Sequence, residues 1–230
     1  MALNIAIIGY GKMGRIIEKI ALERNHNIVA RLEKGWSPEN LKNADVAIEF
    51  TQPDSAFSNI HKALKYGIPV VSGTTGWYDR ISDLEEVSKT AGLVYASNFS
   101  LGVNILFEIN KISAQLLADH EDYNVNIHET HHTEKKDIPS GTAITLAESI
   151  IERNKLSGWT LTEEVGKLPI KSYRKIDIPG NHTITYQSGV DEISISHTAF
   201  NREGFAVGAL IASEKIIGKI GIHKFNSLLF

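Results

Sequence analysis

The chain has 230 residues, a formal net charge of -3 with both signs interspersed, and 42% hydrophobic content, enough for one large domain or two small ones whose cores need no staples. With no cysteine it has neither disulfides nor thiolate metal ligands, and its charge offers no footprint for nucleic acid or an anionic membrane. No run approaches the ~18 to 20 apolar residues of a membrane span, and "MALNIAIIGY" lacks the basic start and length of a secretory signal; a soluble, cytoplasmic enzyme acting on a small molecule is the expectation.

In the first half, β-branched runs alternate with amphipathic ones. "LNIAIIG" (Leu3 to Gly9) is a buried strand by its unbroken apolar character, and the stretch from Arg15 to Asn25 repeats apolar positions at helical spacing. "NIVARLE" and "DVAIEFT" follow as strands, "SAFSNIHKALKYG" as a helix stopped at Gly67, "IPVVSGTTG" as a strand, "DRISDLEEVSKTAG" as a helix and "LVYASNF" as a fifth strand. Strands separated by single helices in this order imply a parallel, doubly wound sheet of Rossmann type, because parallel neighbours need a crossover.

Near residue 100 the rhythm changes. "LGVNILFEINKISAQLLA" reads as a long helix, "YNVNIHETHH" as a strand, and Gly141 to about Asn154 as a helix capped by Ser140. Three further alternating runs, "IKSYRKIDI", "HTITYQSG" and "DEISISHTAF", suggest a mixed, largely antiparallel open sheet, and "REGFAVGALIASEKIIG" closes as a helix. The fold class is therefore α/β: a Rossmann-type parallel lobe of about 100 residues and a mixed α+β lobe after it, with the last helix free to pack back on either.

"GYGKMG" comprises Gly9, Tyr10, Gly11, Lys12, Met13 and Gly14 and sits between a strand and a helix. Gly9 suits the tight turn, Gly11 the close approach of a pyrophosphate, and Gly14 helix–strand packing, with the phosphates facing free amides at the helix start. Glu33, at the end of the second strand, is spaced to accept from ribose hydroxyls. Lys34 beside it could meet a 2′-phosphate, so both NADH and NADPH stay open. Gly73, Thr74 and Thr75 end the fourth strand and Ala96, Ser97, Asn98 and Phe99 the fifth, at the carboxyl edge where such sheets bind ligands; ordinary turn chemistry is the alternative for both loops.

The densest stretch is "HETHHTEKKDIPSGTA", residues 128–143. It lacks the H-E-x-x-H spacing of a helical zinc site, which leaves a solvated loop or a proton-transfer site. Histidines and Lys135 precede "PSGT", a helix start whose free amides favour a carboxylate, so the stretch reads as an anion clamp beside proton donors. No metal is expected.

These residues resemble the dihydrodipicolinate reductase family. Glu129 to Ala143 carries the resemblance most specifically; "GYGKMG", "IEFTQPDSAFSNI", "VSGTTGW" and "ASNFSLGVN" extend it in order, and "RKIDIPGNHT" and "SHTAFNREGFAVGA" more weakly. The resemblance implies reduction of 4-hydroxy-tetrahydrodipicolinate to tetrahydrodipicolinate by NADH or NADPH in lysine and diaminopimelate synthesis, with water lost. It further implies that His131 is the acid/base residue and Lys135 a proton donor, that His132, Ser140, Gly141 and Thr142 bind substrate, and that the glycine stretch, Glu33, Lys34, Gly73 to Thr75 and Ala96 to Phe99 bind cofactor. With it come a Rossmann domain of residues 1–100 completed by the C-terminal helix, residues 203–230, a substrate domain of residues 101–202 whose open sheet builds a homotetramer, and hinge closure between the two. The chain departs from the pattern in a glycine loop one residue shorter than in many members and in a short segment between Glu33 and Asp45. The rivals are another two-domain amino-acid-pathway dehydrogenase, which would lack the H-H-x-x-K-x-D-x-P-S-G-T run, or a non-catalytic NAD(P)-binding regulator, which would call for a basic or helix-turn-helix region.

Overall fold

The computed structural model describes residues 2–230, which form two units: one of residues up to Leu101 together with Arg202–Phe230, the other Gly102–Asn201. Among the described residues no helix is long and apolar enough to cross a membrane.

The first unit is a six-stranded, all-parallel sheet. In chain order its elements are β1 (Asn4–Ile8), α1 (Lys12–Glu23), β2 (Asn27–Leu32), β3 (Val46–Glu49), α2 (Pro53–Lys65), β4 (Val70–Ser72), a 3-10 segment (Tyr78–Leu84) running into the one-turn α3 (Glu85–Ser88), and β5 (Leu93–Tyr95). From the other end of the chain come α6 (Glu203–Ile216), β11 (Ile222–Lys224) and α7 (Asn226–Leu229). The spatial order is β11-β5-β4-β3-β1-β2. The strands are apolar over most of their length because helices cover both faces: Ile5, Ile7, Val46, Ile48, Val71 and Val94 pack under α1 and α6, whereas Ala6, Ile8, Ala47, Val70 and Leu93 pack under α2.

Several details depart from the sequence reading. The helix expected over 79–92 is a 3-10 segment and a single α-turn, with Trp77 and Leu84 buried at the two ends of the 3-10 segment. The edge strand β11 was not anticipated, because three half-exposed residues, Ile222–Lys224, carry no readable period. The short segment after Glu33 keeps one 3-10 turn, Pro38–Leu41, anchored by buried Trp36 and Leu41.

The second unit packs α4 (Leu101–Leu117) and α5 (Gly141–Ile151) on a five-stranded sheet of β6 (Asn124–His131), β7 (Trp159–Thr160), β8 (Leu168–Arg174), β9 (Gly180–Gln187) and β10 (Glu192–Ala199), in the order β10-β9-β6-β8-β7. β6 pairs antiparallel with β9 and parallel with β8, so the sheet is mixed. Its core joins Val103, Leu106 and Phe107 of α4, Leu146, Ala147 and Ile150 of α5, and Ile127, Ile170, Ile184 and Tyr186 of the sheet. Asn110 Nδ2 stitches the two helices, donating to the Leu146 carbonyl at 3.0 Å and Ser149 Oγ at 2.7 Å.

Candidate functional site

In the first unit the glycine stretch lies where β1 hands over to α1. Gly9 has φ +96°, a region costly for any residue with a Cβ, and an added Cβ there would overlap the Phe50 carbonyl. At Gly14 the Cβ would overlap the Gly9 carbonyl, so α1 and the turn touch backbone to backbone. Gly11 differs: a Cβ there meets nothing within 4 Å. It is the N-cap of α1 and supplies no side-chain cap, so the first amides of the helix face open space, which fits a phosphate group. Lys12 is exposed, Met13 half-buried. Around Tyr10 stands a cluster that sequence reasoning missed. Its hydroxyl donates to Glu18, Arg31 Nε donates to Glu18 Oε1 at 2.9 Å, and the Arg15 and Arg31 guanidinium carbons lie 4.9 and 5.8 Å from its ring centre. Glu33 and Lys34 are exposed immediately beyond β2.

The loops after β4 and β5 reach the same carboxyl edge of the sheet. Thr75 and Ser97 are exposed and Gly73, Ala96 and Asn98 half-exposed, but Thr74 and Phe99 are buried. Phe99 packs at a tilt against Phe225, ring centres 4.9 Å apart, and belongs to the core, with its carbonyl against Gly208, so its side chain is not a ligand contact. Behind these loops is an acid that spacing did not single out: Glu49, the last residue of β3 and fully buried. Burial pushes its pKa up, against hydrogen bonds from Ser72, Thr51 and Thr74 that pull it down.

The second unit gathers the histidine stretch onto β6. Residues two apart share a face of a strand, so Glu129 and His131 project together, and register brings Ser172 and His182 opposite Glu129 and Arg174 opposite His131. Glu129 Oε2 lies 2.8 Å from His131 Nδ1. Its other oxygen, Oε1, is 3.2 Å from Arg174 Nη1 and accepts from the Ser140 amide at 3.2 Å. Burial alone would raise the Glu129 pKa, yet the bonds from His131, Ser140 and Ser172 outweigh it and hold the carboxyl well below the usual range. Glu129 is thus an acceptor that faces Nδ1 of His131, which leaves Nε2 as the nitrogen turned toward Gly180. That nitrogen has room because residue 180 is glycine; a Cβ there would stand 2.9 Å from it.

His182 packs edge-on against His131, ring centres 5.0 Å apart, with Nε2 3.3 Å from Ser140 Oγ. Burial first, and then the charge of His131, push its pKa down to about 3. Glu129, His131 and His182 have potential ligand atoms all within 4.8 Å of one another. Arg174 lies against the same carboxylate, so the trio is an acid–base cluster with a cationic partner already beside its acid.

The loop from His132 to Pro139 is pinned by the same arginine: Arg174 Nη2 donates to the Asp137 carbonyl at 2.6 Å and Nε to the Lys135 carbonyl at 3.3 Å. Lys135 Nζ lies 2.9 Å from the Asp137 carboxylate. Burial would raise that carboxyl's pKa, but Lys135 and backbone donors including Gly141 lower it. Lys135 and the start of α5 therefore both face the carboxylate of Asp137. Ser140 caps α5, its Oγ accepting from the Ala143 amide at 3.2 Å. Thr142 is buried, while His132 and Gly141 are half-buried beside it.

Of the residues singled out in sequence, the structure brings His131, His132, Lys135, Ser140, Gly141 and Thr142 into one neighbourhood of the second unit, and the glycine stretch, Glu33, Lys34 and the two loops to one edge of the first. Glu129, Arg174, Gly180 and His182 were missed. Only Glu129 carried a signal, the two-residue offset from His131.

Two family models cover nearly the whole chain: dihydrodipicolinate reductase, N-terminus, over residues 3–99, and dihydrodipicolinate reductase, C-terminus, over residues 102–229. A protein of Christiangramia forsetii named 4-hydroxy-tetrahydrodipicolinate reductase is 48% identical over 233 residues, spanning 99% of this chain and 98% of its own. One of the same name from Lawsonia intracellularis is 33% identical, with 94% and 95% covered. Among solved structures, dipicolinate-bound dihydrodipicolinate reductase from Paenisporosarcina sp. TG-14 superposes with a TM-score of 0.79 at 22% identity, covering 97% of this chain and 98% of that one.

Proposed function

The chain belongs to the dihydrodipicolinate reductase family, and on that premise we propose how its residues divide the work. It is an NADH- or NADPH-dependent oxidoreductase of lysine and diaminopimelate biosynthesis, which reduces 4-hydroxy-tetrahydrodipicolinate to tetrahydrodipicolinate with loss of water. The reduced nicotinamide, when bound, supplies the hydride.

Gly9 to Gly14 hold the pyrophosphate on the open amides of α1, Glu33 accepts from the ribose hydroxyls, and Lys34 meets a 2′-phosphate when one is present. Gly73 to Thr75 and Ala96 to Phe99 receive the nicotinamide end, Phe99 anchoring its loop in the core. His132 and the start of α5, with Ser140, Gly141 and Thr142, bind substrate carboxylates. Asp137 holds the Lys135 ammonium in place as proton donor, and the substrate carboxylate takes over that partnership on binding. His131 exchanges protons through Nε2 while Glu129 keeps Nδ1 protonated and the ring oriented. The observation that carries this reading is the buried Glu129–His131 pair at 2.8 Å beside the capped start of α5.

In an assay coupled to the synthase that makes the substrate, NADH or NADPH is consumed only when the synthase product is present; consumption independent of it would sink the reading. Replacing His131 or Lys135 by Ala lowers turnover by about a hundredfold or more and leaves cofactor affinity within about twofold. We further propose a cytoplasmic homotetramer assembled on the sheet face opposite α4 and α5, where Thr183 and Thr185 of β9 bond across to Ser196 and Ser194 of β10. Sedimentation velocity of the intact protein checks this, a monomer being the contrary outcome.

A further inference from the structure

Glu49 is a fully buried acid that the reaction chemistry does not use, and its hydrogen-bond partners are neutral donors. Thr51 N and Thr74 Oγ1 donate to Oε1 at 3.0 and 2.9 Å, the Thr51 hydroxyl donates to the same oxygen, and Ser72 Oγ donates to Oε2 at 2.6 Å. The Thr51 amide is shared with Thr74 Oγ1 at 2.8 Å. One carboxylate thereby ties the turn after β3 to the loop after β4. The opposite side of the same loop is closed by apolar packing: a Cβ on Gly73 would overlap the Phe50 ring, and a Cβ on Gly9 would overlap the Phe50 carbonyl. Three chain segments leaving the carboxyl ends of β1, β3 and β4 are therefore fixed around Phe50 and Glu49.

A buried carboxyl group without a cationic partner is costly to desolvate in either protonation state, and apolar residues would fill the same volume more cheaply. What the acid does that an apolar side chain cannot is impose one conformation on two adjoining loops through four donors. We propose that Glu49 is a positioning residue for the cofactor, holding the backbone of Gly73 to Thr75 in the form that receives the nicotinamide half. This rests on the reading that the 73–75 loop meets the nicotinamide. The adenosine half is held by the glycine stretch and Glu33, neither of which hydrogen-bonds to the Glu49 carboxyl.

The test compares NADH with ADP-ribose, which lacks the nicotinamide, by titration against the intact protein. Glu49→Met keeps the length and removes the acceptor: the dissociation constant for NADH rises about tenfold while that for ADP-ribose stays within about twofold. Glu49→Gln retains an oxygen for the three donors that meet at Oε1 and brings NADH affinity back to within about threefold. Thr75→Glu, on the exposed tip of the loop, tests the underlying reading by placing bulk and charge in the nicotinamide's path. If Thr75→Glu weakens NADH selectively but Glu49→Met weakens both ligands alike, or neither, Glu49 is a stability element only and the proposal is overturned. If Thr75→Glu has no selective effect, the loop reading fails and the proposal falls with it. Should Glu49→Met not fold, Ser72→Ala removes one donor from the same carboxylate and the same selective loss is expected at smaller size; an unselective result there overturns the proposal equally.

Discussion

His131 depends for its open nitrogen on a residue with no chemistry of its own. A methyl group at position 180 would stand 2.9 Å from Nε2, closer than real side-chain carbons approach, so the ring must turn away from Glu129 or the strand must shift. Gly180→Ala is therefore expected to lower kcat by ten- to a hundredfold, about the size of a misplaced catalytic group, with the dissociation constant for NADH unchanged; steady-state kinetics together with cofactor titration measure both. Single residues of the site were legible in sequence wherever their partners lay nearby. His131, Lys135 and Ser140 fall within ten positions, and the capping serine names its own helix. Arg174, Gly180 and His182 sit on β8 and β9, and only strand register, Glu129 opposite His182 and His131 opposite Arg174, brings them in. No local pattern encodes that register, because it is fixed by burial of Ile127, Ile170 and Ile184 on one face.

Among the elements, those with long apolar periods were readable and those without were not. α4 and α5 follow their sequence expectation closely, whereas β7 and β11, two and three residues long, exist because a neighbouring edge offers hydrogen bonds. β6 is the element on which the site turns, and its pairing with β9 sets a pH dependence. His182, held down to about 3 by burial and by His131, stays neutral in the folded sheet, while an unfolded histidine titrates near 6.5. Between those values the unfolded chain binds a proton that the native state refuses, so stability falls as pH drops from about 6.5 toward 3. Glu129 acts in the same direction: its lowered pKa contributes stability above the ordinary carboxylate range that is lost as pH falls through it. Urea unfolding midpoints measured between pH 7 and 4 should decline, and His182→Gln should flatten the decline; an unchanged slope in that variant would remove His182 from the account.

At the scale of the whole molecule the parallel sheet was readable from the alternation of runs, and the mixed second sheet from the change of rhythm near residue 100. What the alternation concealed is how much of the first unit's core comes from far along the chain: Ala206, Ala209, Leu210, Ala212, Ile216 and Phe225 pack in the same cluster as Ile5, Ile17 and Val94. The second unit draws its core from Val103 to Ile195 alone. A variant truncated after Asn201 should accordingly keep hydrogen-exchange protection in β6, β8 and β9 while β1, β3 and β4 exchange freely and NADH binding is lost. Protection in β1 would show that α6 is dispensable.

That discontinuity orders events on the ribosome. When residue 201 leaves the exit tunnel the second unit has every strand it needs, but β5 still waits for β11 and one face of the parallel sheet is bare of α6. The nascent chain thus holds an open strand edge and an uncovered apolar face for the time taken to add residues 202–225, at ~5 to 20 residues per second a matter of seconds. Chaperones would be expected to meet this protein there, on its first-made half, after its middle has already folded.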